Sequence, residues 1–349
     1  MKKIALIRLD KIGDLVSTLP ADQVSFLKGD QVTWVIAKGL GFIPKNAQPP
    51  RRFIELDKNH PKRSFWILVN FLKQVQPDMA VSFQAPWWVS LALWWAKVPY
   101  RVGVRSQWHS FIFLNKSLRQ KRSEARQHEA DYNTDLLAFA CGELEKRQMN
   151  HKTTQGVGFL SPILSLKSQP LNLSKWNLED KKFILIHPGM AGSALNWPIQ
   201  KYIDLISFLV KENKIVLTGT PSDEPWLGPI KKEYASHSQV VCLQDQISNA
   251  ELLPLLSAAQ LVVAPSTGIA HLAASLSIPI VSLFSPIRVQ HSRRWAPRGE
   301  DVHVLSPAVS CPAIFKCLGE KCPSYFCMDR ISVEQVLQQI KEIQTEGSL

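Results

Sequence analysis

Several stretches of this sequence bring together residues whose types and spacing suit chemistry. The first is Asp10-Lys-Ile-Gly-Asp14, which follows an apolar run, Ile4–Leu9. That run reads as a strand, so the loop falls at the carboxyl edge of a sheet, where open α/β sheets bind ligands. A carboxylate there can take a proton from an attacking hydroxyl, and Gly13 lets the backbone turn sharply or approach a ligand closely. The competing reading is that Asp14 only caps the helix that follows.

The second half repeats the arrangement. His187-Pro-Gly-Met-Ala-Gly-Ser-Ala-Leu-Asn-Trp-Pro198 leads from a strand into a helix, and its small residues can present backbone N–H groups to phosphate. Its bland reading is an ordinary strand-to-helix turn. In Leu217-Thr-Gly-Thr-Pro-Ser-Asp-Glu224, Asp223 and Glu224 suit ribose hydroxyls, or simply favour a helix N-terminus. In Ala264-Pro-Ser-Thr-Gly-Ile-Ala-His271, the residues Ser266, Thr267 and Gly268 can hold a diphosphate, with His271 one turn further on. His271 also reads as a satisfied interior residue.

Three clusters fit less directly. Cys311, Cys317, Cys322 and Cys327 are spaced more widely than the paired ligands of zinc sites, so a metal, a disulfide pair or thiol packing stay open. Seven Lys and Arg lie between Arg101 and Arg126 against one acid, Glu124, which suits an anionic acceptor or merely a solvated face. Trp87, Trp88, Trp94 and Trp95 are expected to form a core helix, because their segment lacks a clean polar face. The alternative is contact with a membrane surface, where Trp is favoured.

The elements that must position these residues alternate strand with helix, the signature of a parallel sheet covered by helices. Val32–Ile36 and Met79–Phe83 read as strands of the first half, with a helix over Phe65–Val75. Phe183–His187, Ile215–Thr218, Val240–Leu243, Leu261–Ala264 and Ile280–Phe284 read as strands of the second. Between these strands fall helices from Pro198 to about Lys211, after Asn249 as cap, and over Gly268–Leu276. A last helix is expected over about Val333–Ile343. Residues 160–182 read as a linker, and 349 residues suggest two domains.

Composition narrows the function classes. With 45% hydrophobic residues the chain has material for packed cores, and its net charge of +12 favours an anionic partner. No apolar run reaches the ~18 residues of a membrane span, and no signal peptide is evident, so a cytoplasmic location with reduced thiols is expected. There is no complete GxGxxG and no P-loop Lys-[Ser/Thr], which weighs against a dinucleotide dehydrogenase or a P-loop NTPase. No nucleic-acid reader motif accompanies the basic residues, so no nucleic-acid partner is expected, and a basic nucleic-acid-binding protein stays only as the lower alternative.

Taken together these residues resemble the heptosyltransferase family, glycosyltransferase family nine. Arg8-Leu-Asp-Lys-Ile-Gly-Asp14 and Thr267-Gly-Ile-Ala-His-Leu272 carry most of the likeness, supported by Asn196-Trp-Pro198 and Gly219-Thr-Pro-Ser-Asp-Glu224. The resemblance implies an α/β GT-B fold, two Rossmann-like domains facing across a cleft. Residues 1–165 would bind the acceptor and 166–330 the nucleotide sugar, and 331–349 would pack back toward the N-terminal domain. It implies inverting transfer of heptose from an ADP-linked donor to the inner core of lipopolysaccharide. Asp14 would be the base. Gly189, Ser193, Asn196, Thr218, Gly219, Asp223, Glu224, Ser266, Thr267, Gly268 and His271 would meet the donor. Lys11, Arg119, Lys121 and Arg122 would meet an anionic glycolipid acceptor, with peripheral contact at the inner membrane. No Asp-x-Asp pair occurs, so no metal and no further cofactor are expected. Two positions depart from the family pattern. Leu195 stands where relatives carry Lys, and Ser266 where they often carry Asp. Both bear on the donor, and a different nucleotide sugar is the alternative.

Overall fold

The apolar runs become the strands of two parallel sheets in the computed structural model, which describes residues 1–142, 160–190, 192 and 194–346. The first sheet holds β1 (Lys3–Arg8), β2 (Gln31–Ala37), β3 (Phe53–Leu56), β4 (Met79–Gln84), β5 (Tyr100–Val104) and β6 (Lys116–Leu118). The second holds β7 (Phe183–Ile186), β8 (Lys214–Leu217), β9 (Val240–Cys242), β10 (Leu261–Pro265), β11 (Ile280–Leu283) and β12 (Val302–Leu305). Strands such as β7 (FILI) and β10 (LVVAP) are buried along their whole length, as strands covered by helices on both faces must be.

The order of the first sheet is β3-β2-β1-β4-β5-β6 and that of the second β12-β11-β10-β7-β8-β9. Numbered within its own sheet, each is the doubly wound order 3-2-1-4-5-6. The winding reverses between β1 and β4 in one and between β7 and β10 in the other. Loops that leave the carboxyl ends of those strands diverge there and open a crevice. The motif loops after β1, β7 and β10 are therefore where a ligand is expected, each in its own sheet.

The chain divides into two compact units, Met1–Arg122 with Gln127–Leu164, and Ser123–Arg126 with Ser165–Leu349. The core of the first joins Ile7, Leu9, Val35, Leu68, Ala80 and Val89. The core of the second joins Ile184, Trp197, Tyr202, Val263, Val281 and Val336.

The final helix, Val333–Glu346, gives its apolar residues Val333, Val336, Ile340 and Ile343 to the core of the second unit, against the helix Ile199–Leu209. Three expectations need correcting. Of the four tryptophans in Trp87–Trp95 only Trp88 is buried, while Trp87, Trp94 and Trp95 stay about half exposed, because no further element among the described residues covers that face. The helix Asn249–Ala258 is capped one residue earlier, by Ser248, whose N–H (3.0 Å) and hydroxyl (2.7 Å) both donate to Glu251 Oε2. The stretch 160–182 is anchored rather than slack. Leu164, Leu166, Leu173 and Leu178 are buried, the Ser161 N–H donates to Asp131 Oδ1 (2.9 Å), and the Leu166 N–H donates to the Ser275 carbonyl (2.7 Å).

Candidate active site

The first site residue is one the motif reading quoted but gave no role. Arg8 ends β1, a strand otherwise wholly apolar beyond Lys3, and its side chain is only 1% exposed. The pairing of β1 with β4 shifts register between Ile7 and Arg8. Such an irregularity turns a side chain out of the regular alternation and is common beside functional sites. Here it accompanies a guanidinium that meets three carboxylates. Arg8 Nη2 donates to Asp14 Oδ1, Nε lies 2.9 Å from Asp10 Oδ2, and Nη1 lies 3.7 Å from Glu129 Oε1. Glu129 is fully buried and also accepts from Arg122 Nη1. Arg122 in turn donates to Gln120 Oε1 through Nε (3.0 Å) and Nη2 (2.7 Å) and lies over the ring of Tyr132.

Burial works against the charged form of Arg8, but Asp14, Asp10 and Glu129 outweigh it and hold the guanidinium above its ordinary value. Burial pushes the Asp10 carboxyl up, against the pull of Arg8. Asp14 lies inside the short helix Ile12–Val16, whose N-cap is Lys11, so its carboxylate does not cap that helix. The carboxylate turns back onto Arg8, and no other described residue bonds its second oxygen. The Asp14 carbonyl accepts from Thr18 Oγ1 (2.6 Å), which accepts from Asn133 Nδ2 (2.9 Å). The helix Glu129–Ala140 thus braces the Asp14 loop through two buried polar residues.

Of the basic residues assigned to an acceptor, Lys11, Arg119 and Lys121 are exposed. Arg122 belongs to the buried network through Glu129. Arg101, in the same cluster, spends its guanidinium on the carbonyls of Phe113 and Val98 (both 2.7 Å).

In the second unit the loops after β7 and β8 are welded together. His187 Nδ1 and Thr218 Oγ1 are 3.0 Å apart, and both residues are buried. Burial pushes the His187 imidazole down to about 4, against the opposing influence of Asp223 and the Thr218 hydrogen bond. Asp223 Oδ2 accepts from the Thr220 N–H (2.9 Å) and hydroxyl (2.7 Å). A Cβ at Gly189 would sit 2.6 Å from Asp223 Cβ and closer still to its carboxyl carbon, so glycine is what lets the two loops close. At Gly219 a Cβ would strike Leu227 Cδ1. Asn196 is occupied within its own loop. Its Nδ2 donates to the Pro188 carbonyl (2.6 Å), and its Oδ1 accepts from the Trp197 N–H (2.8 Å) and Tyr202 hydroxyl (3.1 Å). Glu224 is exposed and accepts from Lys231 Nζ (2.6 Å), which holds its carboxyl below the usual range. Ser193 lies outside the described residues.

The loop after β10 differs. β10 is the neighbour of β7 across the reversal point, and the His187 N–H donates to the Val263 carbonyl (2.9 Å). Thr267 is the N-cap of the helix Gly268–Ser275, yet its hydroxyl makes no cap hydrogen bond. Its Oγ1 is buried and has no partner among the described residues, an arrangement that costs free energy unless a ligand fills it. The first N–H groups of the helix begin at the next residue and lack partners within the helix. Ser266 and Gly268 are partly exposed beside it, and His271 is buried one turn on.

All six cysteines are free thiols. Cys311, Cys317, Cys322 and Cys327 line one cavity of about 340 Å³ with Leu195 and Phe326. Among the described residues no group of three or more His, Cys, Asp or Glu is placed to hold a metal ion. Leu195 packs against the core of the second unit.

Two doubly wound parallel sheets, each with its motif loops at the reversal point, make up the GT-B fold. The chain belongs to glycosyltransferase family 9 (heptosyltransferase), whose model matches residues 66–318. It is 28% identical to a Haemophilus influenzae protein given only the general name of glycosyltransferase, over 97% of this chain and 96% of that one. It is 22% identical to the lipopolysaccharide core heptosyltransferase OpsX of the same organism, over 98% and 97%. Among solved structures it resembles the ADP-heptose LPS heptosyltransferase II of E. coli, with a TM-score of 0.75 at 16% identity, covering all of both chains.

Proposed function

We propose that this glycosyltransferase moves a heptose from an ADP-linked donor to an anionic glycolipid of the lipopolysaccharide inner core, with inversion at the anomeric carbon. The observation that carries the reading is the Arg8–Asp14 pair at the reversal point of the first sheet. Arg8 fixes one carboxylate oxygen of Asp14 and leaves the other for a proton. The acceptor hydroxyl then attacks the anomeric carbon from the face opposite the leaving diphosphate, and Asp14 takes its proton as the new bond forms. Inversion follows from that single displacement.

Charge builds on the departing diphosphate. The Thr267 hydroxyl and the N–H groups at the start of Gly268–Ser275 are the donors suited to it. Asp223 is committed to Thr220, and Asn196 to its own loop, so their part is to hold the loops that shape the donor site. The exposed cations Lys11, Arg119 and Lys121 suit an anionic acceptor. Without an Asp-x-Asp pair to carry a divalent ion, the diphosphate relies on these donors, and transfer proceeds without a metal.

ADP rests on the likeness to the E. coli enzyme, named for ADP-heptose, and the lipopolysaccharide core on the likeness to OpsX. The test is thermal unfolding of the purified chain with ADP, UDP, GDP and CDP, with and without magnesium, followed by transfer assays on the donor so selected. Stabilisation by ADP alone, unchanged by magnesium, supports the reading, since a ligand that binds only the native state raises its stability. Selective stabilisation by another nucleotide overturns the ADP assignment and favours a different nucleotide sugar.

A further inference from the structure

The loops at the carboxyl edge of the second sheet are nearly bare of cations. No Lys or Arg occurs between Ile186 and Pro198, between Leu217 and Glu224, between Cys242 and Ser248, or between Pro265 and Gly268, the loops that follow β7, β8, β9 and β10. Lys201, in the first turn of the helix after β7, spends its ammonium on the carbonyls of Asp329 (2.5 Å) and Ile331 (3.1 Å). Positive charge is therefore left to the loops after β11 and β12. β11 is the neighbour of β10, and the Ser266 N–H donates to the Leu283 carbonyl (3.1 Å), so the loop after β11 starts beside Thr267. β12 lies one strand further out.

Four arginines lie between β11 and β12, and they are not equivalent. Arg298 precedes Gly299, where a Cβ would sit 2.7 Å from the Ala274 carbonyl oxygen, near the far end of the helix that starts after Thr267. Arg294 lies over the Trp295 ring, 4.8 Å from its centre. Arg293 is exposed on the short helix Ser292–Trp295. Arg288 comes first after the strand, and its backbone is pinned. Its N–H donates to the Ala313 carbonyl (3.2 Å) and the Val289 N–H to the Ile314 carbonyl (3.1 Å). Ile287 before it is buried and lines one cavity with Leu195, Asn196 and Pro198 of the loop after β7. Yet Arg288 is exposed, and its guanidinium has no partner among the described residues. Two residues on, Gln290 Oε1 is buried and has no hydrogen-bond partner among them either, which costs free energy unless a ligand meets it. An anchored backbone that carries an unpaired guanidinium, in the loop next to the unfilled Thr267 hydroxyl, has the makings of a preformed anion site.

We propose that Arg288 is the cation of the donor site, its guanidinium meeting the β-phosphate of a nucleoside diphosphate sugar. The inference rests on the transferase reading given above, whichever nucleotide the donor carries. As the anomeric carbon–oxygen bond breaks, its electron pair passes to the β-phosphate oxygen and raises the negative charge there. The acceptor oxygen forms the new bond and yields its proton to Asp14. The Thr267 hydroxyl and the N–H groups at the helix start are neutral donors. A guanidinium beside them supplies a full positive charge, and its planar fork matches two phosphate oxygens. Because the phosphate charge grows in the transition state, Arg288 serves the transfer step more than it serves donor binding.

The test is calorimetric titration of the full chain with ADP, or with whichever of UDP, GDP and CDP stabilises the parent, and with the matching monophosphate, which lacks the β-phosphate. The variants are Arg288→Gln, Arg288→Lys and, as a control in the same loop, Arg293→Gln. Expected in Arg288→Gln is a loss of diphosphate affinity of about tenfold, with monophosphate affinity within about twofold of the parent. Arg288→Lys recovers part of the loss, and Arg293→Gln binds both nucleotides as the parent does. Single-turnover transfer at saturating donor falls about 10²-fold in Arg288→Gln, the scale of one lost transition-state donor. Thermal unfolding of the free protein stays unchanged, because the guanidinium has no partner to lose. Arg288→Lys, which keeps the charge but not the fork, carries the test should Arg288→Gln fail to fold. Unchanged diphosphate affinity and turnover in the folded variants overturn the proposal. Equal losses for monophosphate and diphosphate, or an equal loss in Arg293→Gln, also overturn it, since they mark a general attraction to a basic surface. A parent that binds no nucleoside diphosphate contradicts the transferase reading and takes this inference with it, whereas binding for which Arg288 is dispensable removes the inference alone.

Discussion

Arg8, buried at the end of the central strand β1, donates from Nη2 to Oδ1 of Asp14, six residues further along the chain. The pair holds the Asp14 carboxylate in one orientation. It also ties the candidate base to Glu129 and Arg122, whose helix and loop lie far along the sequence. A guanidinium suits this task because its planar fork serves several carboxylates at fixed angles, which an ammonium cannot.

Replacing Arg8 by Met should leave Glu129 and Asp10 without their shared cation. Breaking a buried pair from one side costs about 3–5 kcal/mol, so urea unfolding of Arg8→Met should show a loss of that order. Arg8→Lys should recover only part of it. A loss below about 1 kcal/mol, the scale of exposed pairs, would contradict the buried network.

The Thr267 hydroxyl forms no hydrogen bond with any described residue, so Thr267→Val removes nothing from the free protein. Unfolding stability should stay within about 0.5 kcal/mol of the parent. Nucleotide affinity should fall about tenfold, the equivalent of ~1.4 kcal/mol. Calorimetric titration with ADP separates the two. Unchanged affinity, or a large stability loss, would show the hydroxyl to be structural.

Gly189 and Gly219 both face Asp223 or its surroundings, but with different room to give. At Gly189 an added methyl meets the carboxyl group that holds Thr220, at Gly219 the terminal methyl of Leu227. Overpacking costs about 1–3 kcal/mol. Gly189→Ala should fall at the upper end and also weaken nucleotide binding, while Gly219→Ala should cost less. The reverse order in thermal unfolding would contradict the close approach of the two loops.

His187 gives a pH signature. Its imidazole is held down to about 4 by burial, against about 6.5 in an unfolded chain. The folded state therefore prefers the neutral ring. The associated stability is fully present above pH ~6.5 and is lost as pH falls toward 4. The difference amounts to about 3 kcal/mol. Unfolding measured from pH 7 to 4 should decline less steeply for His187→Asn than for the parent. Parallel curves would place the loss elsewhere.

Much of the frame was legible in the residues. Buried parallel strands are nearly continuous apolar runs, so β1, β7 and β10 could be read directly. Asp14, Thr267 and Gly268 could be placed at strand ends because Asp, Ser, Thr and Gly follow those runs. Arg8 was harder. The signal was a charge ending a buried strand, and its meaning depended on Glu129 and Arg122, which only tertiary contact brings near. The exposure of Trp87, Trp94 and Trp95 was not legible for a similar reason. An apolar helix reads as core until it is known that no described element packs on its outer face. The apolar period of Val333–Glu346 was visible, but not which core would receive it. The cap at Ser248 could have been found from Ser-x-x-Glu251 alone.

The claim that Asp14 is the proton acceptor is tested most directly by Asp14→Asn, whose amide oxygen can still accept from Arg8. The measurement is single-turnover transfer with the donor that the parent uses, alongside calorimetric binding of its nucleotide. The account predicts nucleotide binding within about twofold of the parent and a turnover reduced by about 10²–10⁴-fold, the range for a lost general base. A folded Asp14→Asn that binds nucleotide and transfers sugar at the parental rate would contradict it.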